Sequence, residues 1–136
     1  MFGKKDPAVI KTLIAQGTCI NGALKFEEGL RVDGEVYGPI HANAESGTLL
    51  VISEGAVVEG GLKADHVIVN GTVKGPVEAR ELLELQPKAR IEGEVQYAAV
   101  IMQHGATILG QLRPMTAATA SSEEDQPLIR LAAKSA

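Results

Sequence analysis

The sequence predicts an all-β fold: a right-handed parallel β-helix of about six triangular coils with disordered terminal tails. Three observations carry this expectation. The first is an apolar–x–Gly–x–apolar beat at Ile20–Gly22–Leu24, Val36–Gly38–Ile40, Val58–Gly60–Leu62, Val73–Gly75–Val77, Ile91–Gly93–Val95 and Ile108–Gly110–Leu112. Apolar residues at every second position suit a strand, whose successive side chains point to opposite faces, and not a helix. The second is the spacing of those glycines, which are 16, 22, 15, 18 and 17 residues apart. A unit of about 17 to 18 residues is too short to be a domain and is right for one turn of a coil stacked on its neighbours. The third is composition. Among 136 residues 45% are apolar, only 3% are aromatic and none is Trp. The core is then filled by Val, Ile, Leu and Ala, which suits a narrow, uniform cross-section.

Taken in order, residues 1–16 lack the beat and read as a flexible N-terminal tail. Residues 17–115 carry the beat and form the coil. Residues 116–136 open with a small and acidic run, TAATASSEED, typical of a disordered tail. Within the coil, Val32, Gly34, Val36, Gly38, Ile40 and Ala42 share one face. The pattern returns 37 residues later in Val69, Gly71, Val73, Gly75, Val77 and Ala79, with Pro39 and Pro76 in register. Leu49 to Leu62 matches Leu82 to Val95 at an offset of 33, and the same window recurs from Val100 to Leu112. Three strands of about five residues, at ~3.3 Å per residue, make a triangle about 17 Å on a side, and six coils make a rod about 25–30 Å long. Corners are expected at Glu28–Gly29, Glu54–Gly55, Gln86–Pro87 and His104–Gly105, and a small loop near Asn43–Gly47 absorbs the longest gap. The beat glycines are expected to face inward and leave room for side chains from the other walls. Leu at Gly75 or Gly93 would then overpack the core by roughly 1–3 kcal/mol.

A left-handed coil demands a strict six-residue period. Here the beat comes once per turn and alternation within a wall runs to eleven residues, which favours the right-handed form. The MFGKK start, the DGEVYGPI, NGTVKGPV and IEGEV runs and the polar tail together resemble the bactofilins, bacterial cytoskeletal proteins. The resemblance covers residues 17–115 and Met1–Lys5. It implies a right-handed β-helix that polymerises end to end into filaments without nucleotide. It also implies peripheral membrane association through the N-terminal tail, and a scaffold role in cell shape, cell-wall synthesis or polar organisation, with cell-wall enzymes or other scaffold clients as partners.

Polymerisation also has a physical basis. Both ends of a β-helix expose unpaired strand N–H and C=O groups, which recruit further strands unless covered. Neither end shows a polar capping repeat. The first coil offers Cys19, Ile20, Leu24 and Phe26, and the last Ile108, Leu109, Leu112 and Met115. These eight residues are the candidate self-association contacts, and each is first of all a core residue of its own coil.

The tails add two readings. Residues 1–16 carry a net charge of +2, from Lys4, Lys5 and Lys11 against Asp6, while the whole chain carries −4. Phe2 with Lys4 and Lys5 suits weak membrane contact, ring in the interface and lysines on anionic headgroups. Val9, Ile10, Leu13 and Ile14 extend that anchor as a helical turn or cap the first coil. Pro127 to Ala136 is either a partner-binding segment or a tail with no role.

Other chemistry finds little support. The acidic balance gives nucleic-acid binding no electrostatic footing. No phosphate-binding loop is present, so no nucleotide is expected. His41, His66 and His104 lack ligand spacing, and no metal or cofactor is expected. Cys19, the single cysteine, has no catalytic partner and suits a reducing, cytoplasmic setting. The chain is therefore expected not to be an enzyme. The alternatives are a hexapeptide-type acyltransferase with a left-handed coil and a carbohydrate-active β-helix, which needs a longer chain for its groove.

Overall fold

A computed structural model describes residues 10–43 and 47–115. Alternating apolar residues and frequent corner formers give 16 short strands and no helix among these residues. The first coil consists of β1 (Thr12–Ile14), β2 (Cys19–Asn21) and β3 (Leu24–Phe26). The second consists of β4 (Gly29–Val32), β5 (Glu35–Tyr37) and β6 (Ile40–Ala42). The third holds β7 (Leu49–Ile52), β8 (Val57–Glu59) and the start of β9 (Leu62–Val69). The fourth takes the end of β9, β10 (Thr72–Lys74) and the start of β11 (Val77–Leu85). The fifth takes the end of β11, β12 (Arg90–Glu92) and β13 (Val95–Tyr97), and the sixth β14 (Val100–Met102), β15 (Thr107–Leu109) and β16 (Leu112–Pro114). Each coil thus has three sides, and β9 and β11 each run through a corner.

Every rung pairs in parallel with the equivalent rung of the next coil. Six rungs stack on each of three walls. Rung-to-rung offsets run from 15 residues, Leu62 to Val77, to 22, Glu35 to Val57. No fixed six-residue period exists, which removes the structural basis of the acyltransferase alternative. The extra residues of the longest coil lie between β6 and β7, where the loop at Asn43–Gly47 is expected; residues 44–46 of it fall outside the described part.

The core is a single column of aliphatic side chains. Leu30, Val32, Val36, Leu50, Ile52, Val67, Val73, Leu83 and Ile91 are wholly buried. The inward face expected from alternation is the one observed: Val32, Val36, Ile40, Val69, Val73, Val77 and Ala79 are all core.

Two kinds of corner separate the first wall from the second, and they explain the repeat at offsets of 37 and 33. Four-residue turns close at Ala15–Thr18, Ser53–Ala56, Gln86–Ala89 and Gln103–Ala106, each by an N–H···O=C bond of 2.9–3.1 Å. The second and fourth coils instead turn at Asp33–Gly34 and Asn70–Gly71. Gly34 lies against the Ala15 and Thr18 carbonyls, and Gly71 against those of Ser53 and Ala56. The expected corner at Glu54–Gly55 is thus a turn, and those at Gln86–Pro87 and His104–Gly105 fall within turns.

The beat glycines require a correction. They mark the corner between the second and third walls, and all six have positive φ. They stack on one another: a Cβ on Gly93 would stand 2.6 Å from the Gly75 carbonyl oxygen. Backbone packed on backbone, in a conformation that L side chains avoid, is what requires glycine there, and not room for side chains.

A second correction concerns the start of the coil. Thr12–Ile14 is the first rung of the first wall, in register with Leu30–Val32. The coil therefore begins before residue 17, and Leu13 and Ile14 are strand, not helical turn. Ile14 is the only large inward apolar side chain of this rung, too little to register as alternation. Phe2, Lys4, Lys5, Val9 and residues 116–136 lie outside the described residues.

One buried polar cluster sits where the long connection from β6 enters the third coil. Asp65, 2% exposed, accepts hydrogen bonds from the Thr48 backbone N–H at 3.1 Å and its hydroxyl at 2.8 Å, and pairs with Arg80 Nε at 2.9 Å. The Asp65 N–H donates to the Thr48 hydroxyl oxygen at 3.0 Å. The chain re-entering the first wall at Thr48 is thereby fixed to the corner one coil above.

Candidate self-association surfaces

The interior rungs have neighbours on both sides and the end rungs have one. In a parallel ladder, alternate residues direct their N–H and C=O groups to opposite neighbours. Half of the backbone groups of β1–β3, and half of those of β14–β16, therefore face away from the coil. Among the described residues no further strand pairs with them.

Side chains follow the same division. Apart from Ala42, inward apolar residues of the middle coils are buried, but Ile20 and Leu24 in the first coil and Val100, Met102, Ile108 and Leu112 in the last are only partly so. Among the described residues, the exposed large apolar side chains are Ile10, Leu13, Ile101, Leu109 and Met115. All five lie at the first or the last coil. No polar repeat among the described residues covers either end.

The eight residues expected at the ends separate into four groups. Ile20, Leu24, Ile108 and Leu112 are inward residues of the terminal rungs and form apolar end surfaces. Phe26, at 7% exposure, is first of all core, in register with the small Ala42, and reaches the open end only as part of a cavity lining. Cys19 and Leu109 are exposed but point outward from the second wall, in register columns with Glu35 and Glu92. Met115 is exposed just past β16, its N–H bonded to the Tyr97 carbonyl at 2.6 Å.

Sequence reasoning missed Val100 and Met102, although their alternation continues that of Leu83 and Leu85 in register. It also missed the exposed Ile101, because an outward apolar residue has no periodic signature.

The fold scatters other reactive groups. His41 lies on the third wall, His66 on the first and His104 in a turn. Among the described residues no three His, Cys, Asp or Glu side chains gather as a metal site. No described helix is long and apolar enough to cross a membrane. A shallow cavity of about 400 Å³ opens between β1 and β3, lined by Thr12, Leu24, Phe26 and Leu30. It is a part of the uncapped end where a next coil would sit.

Residues 12–113 match the family described as "Bactofilin: Polymer-forming cytoskeletal". The chain is 33% identical over 104 residues to "Bactofilin BacP" of Myxococcus xanthus (strain DK1622), covering 76% of this chain and 42% of that one. It is 24% identical over 111 residues to "Bactofilin BacO" of the same organism, covering 82% of this chain and 85% of that one. The chain thus spans about two fifths of the first relative and most of the second. No solved structure matches it.

Proposed function

The chain belongs to the bactofilins, a family of polymer-forming cytoskeletal proteins, and from that premise we propose that it polymerises by stacking its two uncapped terminal coils. The observation that carries the reading is the incomplete burial of the inward apolar side chains of the two terminal coils, with no polar repeat over either end among the described residues. A neighbour's end supplies the missing strand partners and covers Ile20 and Leu24 at one end and Val100, Met102, Ile108 and Leu112 at the other. Nothing in that step needs nucleotide, because a rung on a matching rung is all that is added. The product is a continuous solenoid, head to tail or alternating.

In this reading the filament is a scaffold and not a catalyst. It lies at the inner face of the cytoplasmic membrane, held by Phe2, Lys4 and Lys5, and supports cell shape, cell-wall synthesis or polar organisation by recruiting clients. Each anchor is weak, at about 1 kcal/mol per lysine, and the many copies along a filament supply avidity.

Negative-stain microscopy of the purified chain without nucleotide tests polymerisation: filaments are expected, and uniform compact particles would refute it. Leu112→Arg places a charge on the C-terminal end surface. It should leave circular dichroism unchanged and convert filaments to monomers or dimers. Long filaments from that variant would put the C-terminal contact elsewhere. Deleting residues 2–8 should abolish sedimentation with anionic vesicles while filaments persist.

A further inference from the structure

We infer that two copies of this rod, or two filaments of it, pair side by side and antiparallel through the outer face of the first wall. The three outer faces differ in chemistry. The third wall presents the column Lys25, His41, Lys63, Glu78, Gln96 and Arg113, without one apolar residue. The second wall carries mainly charged and polar residues, among them Glu35, Glu59, Lys74, Arg90 and Glu92. The first wall presents, one residue per coil, Leu13, Arg31, Val51, Ile68, Glu84 and Ile101. Beside it, Leu49, His66 and Leu82 form a second outward column. An apolar stripe with a polar surround marks a contact surface.

The order within the long column identifies the occupant. Read from either end it runs apolar, charged, apolar, apolar, charged, apolar, with the two charges opposite in sign. Place a second copy face to face with its coil axis reversed, about a two-fold axis along the strands between the third and fourth coils. Leu13 then meets the partner's Ile101, Val51 meets the partner's Ile68, and Arg31 meets the partner's Glu84. Each contact occurs twice, as an isologous interface requires. Parallel packing would instead set Arg31 on Arg31 and Glu84 on Glu84, so charge selects the antiparallel arrangement. Both charges are accessible. The Arg31 side chain is 51% exposed and uses its Nε on Asp33 at 2.9 Å. Glu84 is half-buried and, among the described residues, accepts a long 3.4 Å bond from Gln103.

The stripe is short, six rungs at ~4.8 Å, so one subunit pairs weakly. A filament repeats it along its length, and pairing strengthens by avidity. The inference does not depend on end-to-end assembly; filaments amplify it.

The test is a charge exchange in the full chain, read as filament width by electron microscopy. The wild type should form double-width filaments. Arg31→Glu and Glu84→Arg should each give single-width filaments of ordinary length, a loss of pairing of at least about tenfold. The double exchange should restore pairs. Unchanged width in either single variant, or no recovery in the double, overturns the inference. So does a result in which the single variants stay paired but lose binding to anionic vesicles, which would assign the stripe to lipid. Should the wild type form no filaments, the end-to-end reading fails separately. Sedimentation equilibrium at high concentration then asks whether a dimer is lost in the single variants and regained in the double. Circular dichroism controls for folding, and Arg31→Gln with Glu84→Gln gives milder versions of both losses.

Discussion

Tyr97 shows how little aromatic bulk this core admits. It stands in register with Ala79 of the coil below and Pro114 of the coil above, and is 4% exposed. Its hydroxyl is buried with no hydrogen-bond partner among the described residues, and burial raises its pKa above the usual tyrosine range. An unsatisfied buried hydroxyl costs about 1–3 kcal/mol. Tyr97→Phe keeps the ring and removes that cost, so the variant should be more stable by about 1 kcal/mol in urea unfolding at neutral pH. The pH dependence has a definite sign. The folded state favours the neutral phenol, so as pH rises the unfolded chain loses its proton first. The Tyr97 contribution is therefore present below the normal tyrosine pKa and lost as pH rises through the folded value. A phenylalanine side chain does not titrate, so the variant should lose less stability than the wild type above about pH 10. An equal alkaline loss in both would show that Tyr97 has no part in it.

At the scale of the strand and corner, the alternation was legible because each wall buries one face. Val32 to Ile40 and Val69 to Val77 could be assigned inward and outward by parity alone. The two-coil repeat was legible too, but its cause was not. The 37-residue match is the recurrence of an Asp/Asn–Gly corner, which shows only when Gly34 and Gly71 are seen resting on the turns below. The glycine ladder is visible in the sequence as a beat, but spacing carries no φ, so it reads there as side-chain space. Terminal rungs were hardest: β1 offers one large buried apolar residue, Ile14, and no beat. The ladder makes a discriminating prediction. Gly93→Ala introduces a Cβ against the Gly75 carbonyl at φ +138° and should cost about 2 kcal/mol or more. Gly55 also has positive φ, but a Cβ there meets nothing within 4 Å. Gly55→Ala should cost only about 1 kcal/mol, from backbone conformation alone. Thermal or urea melts rank the two, and equal losses would mean that the ladder's close contact contributes nothing.

At the scale of the whole molecule, the solenoid is a modular column whose length is set only by how many coils lie between its ends. Corner type alternates from the first coil to the fifth, so the true module is two coils, not one. Repeating residues 66–98 in tandem adds one such module. The junction places Ala98 before His66, with a single residue between the third-wall rung and the first, as Asp65 does natively between Ala64 and His66. The new Gly71 then rests on the turn at Gln86–Ala89, as the original rests on Ser53–Ala56. Both ends remain unchanged. The lengthened chain should fold, melt no lower than the wild type, and polymerise with an axial repeat longer by about 10 Å per subunit, two strand spacings. Repeating residues 66–81 alone adds one coil and sets a glycine corner on a glycine corner, without the turn beneath it. That variant should be measurably less stable than the two-coil insertion. If both insertions melt alike, corner alternation does not set the module. If the two-coil insertion folds but no longer forms filaments, polymerisation depends on subunit length as well as on the open ends.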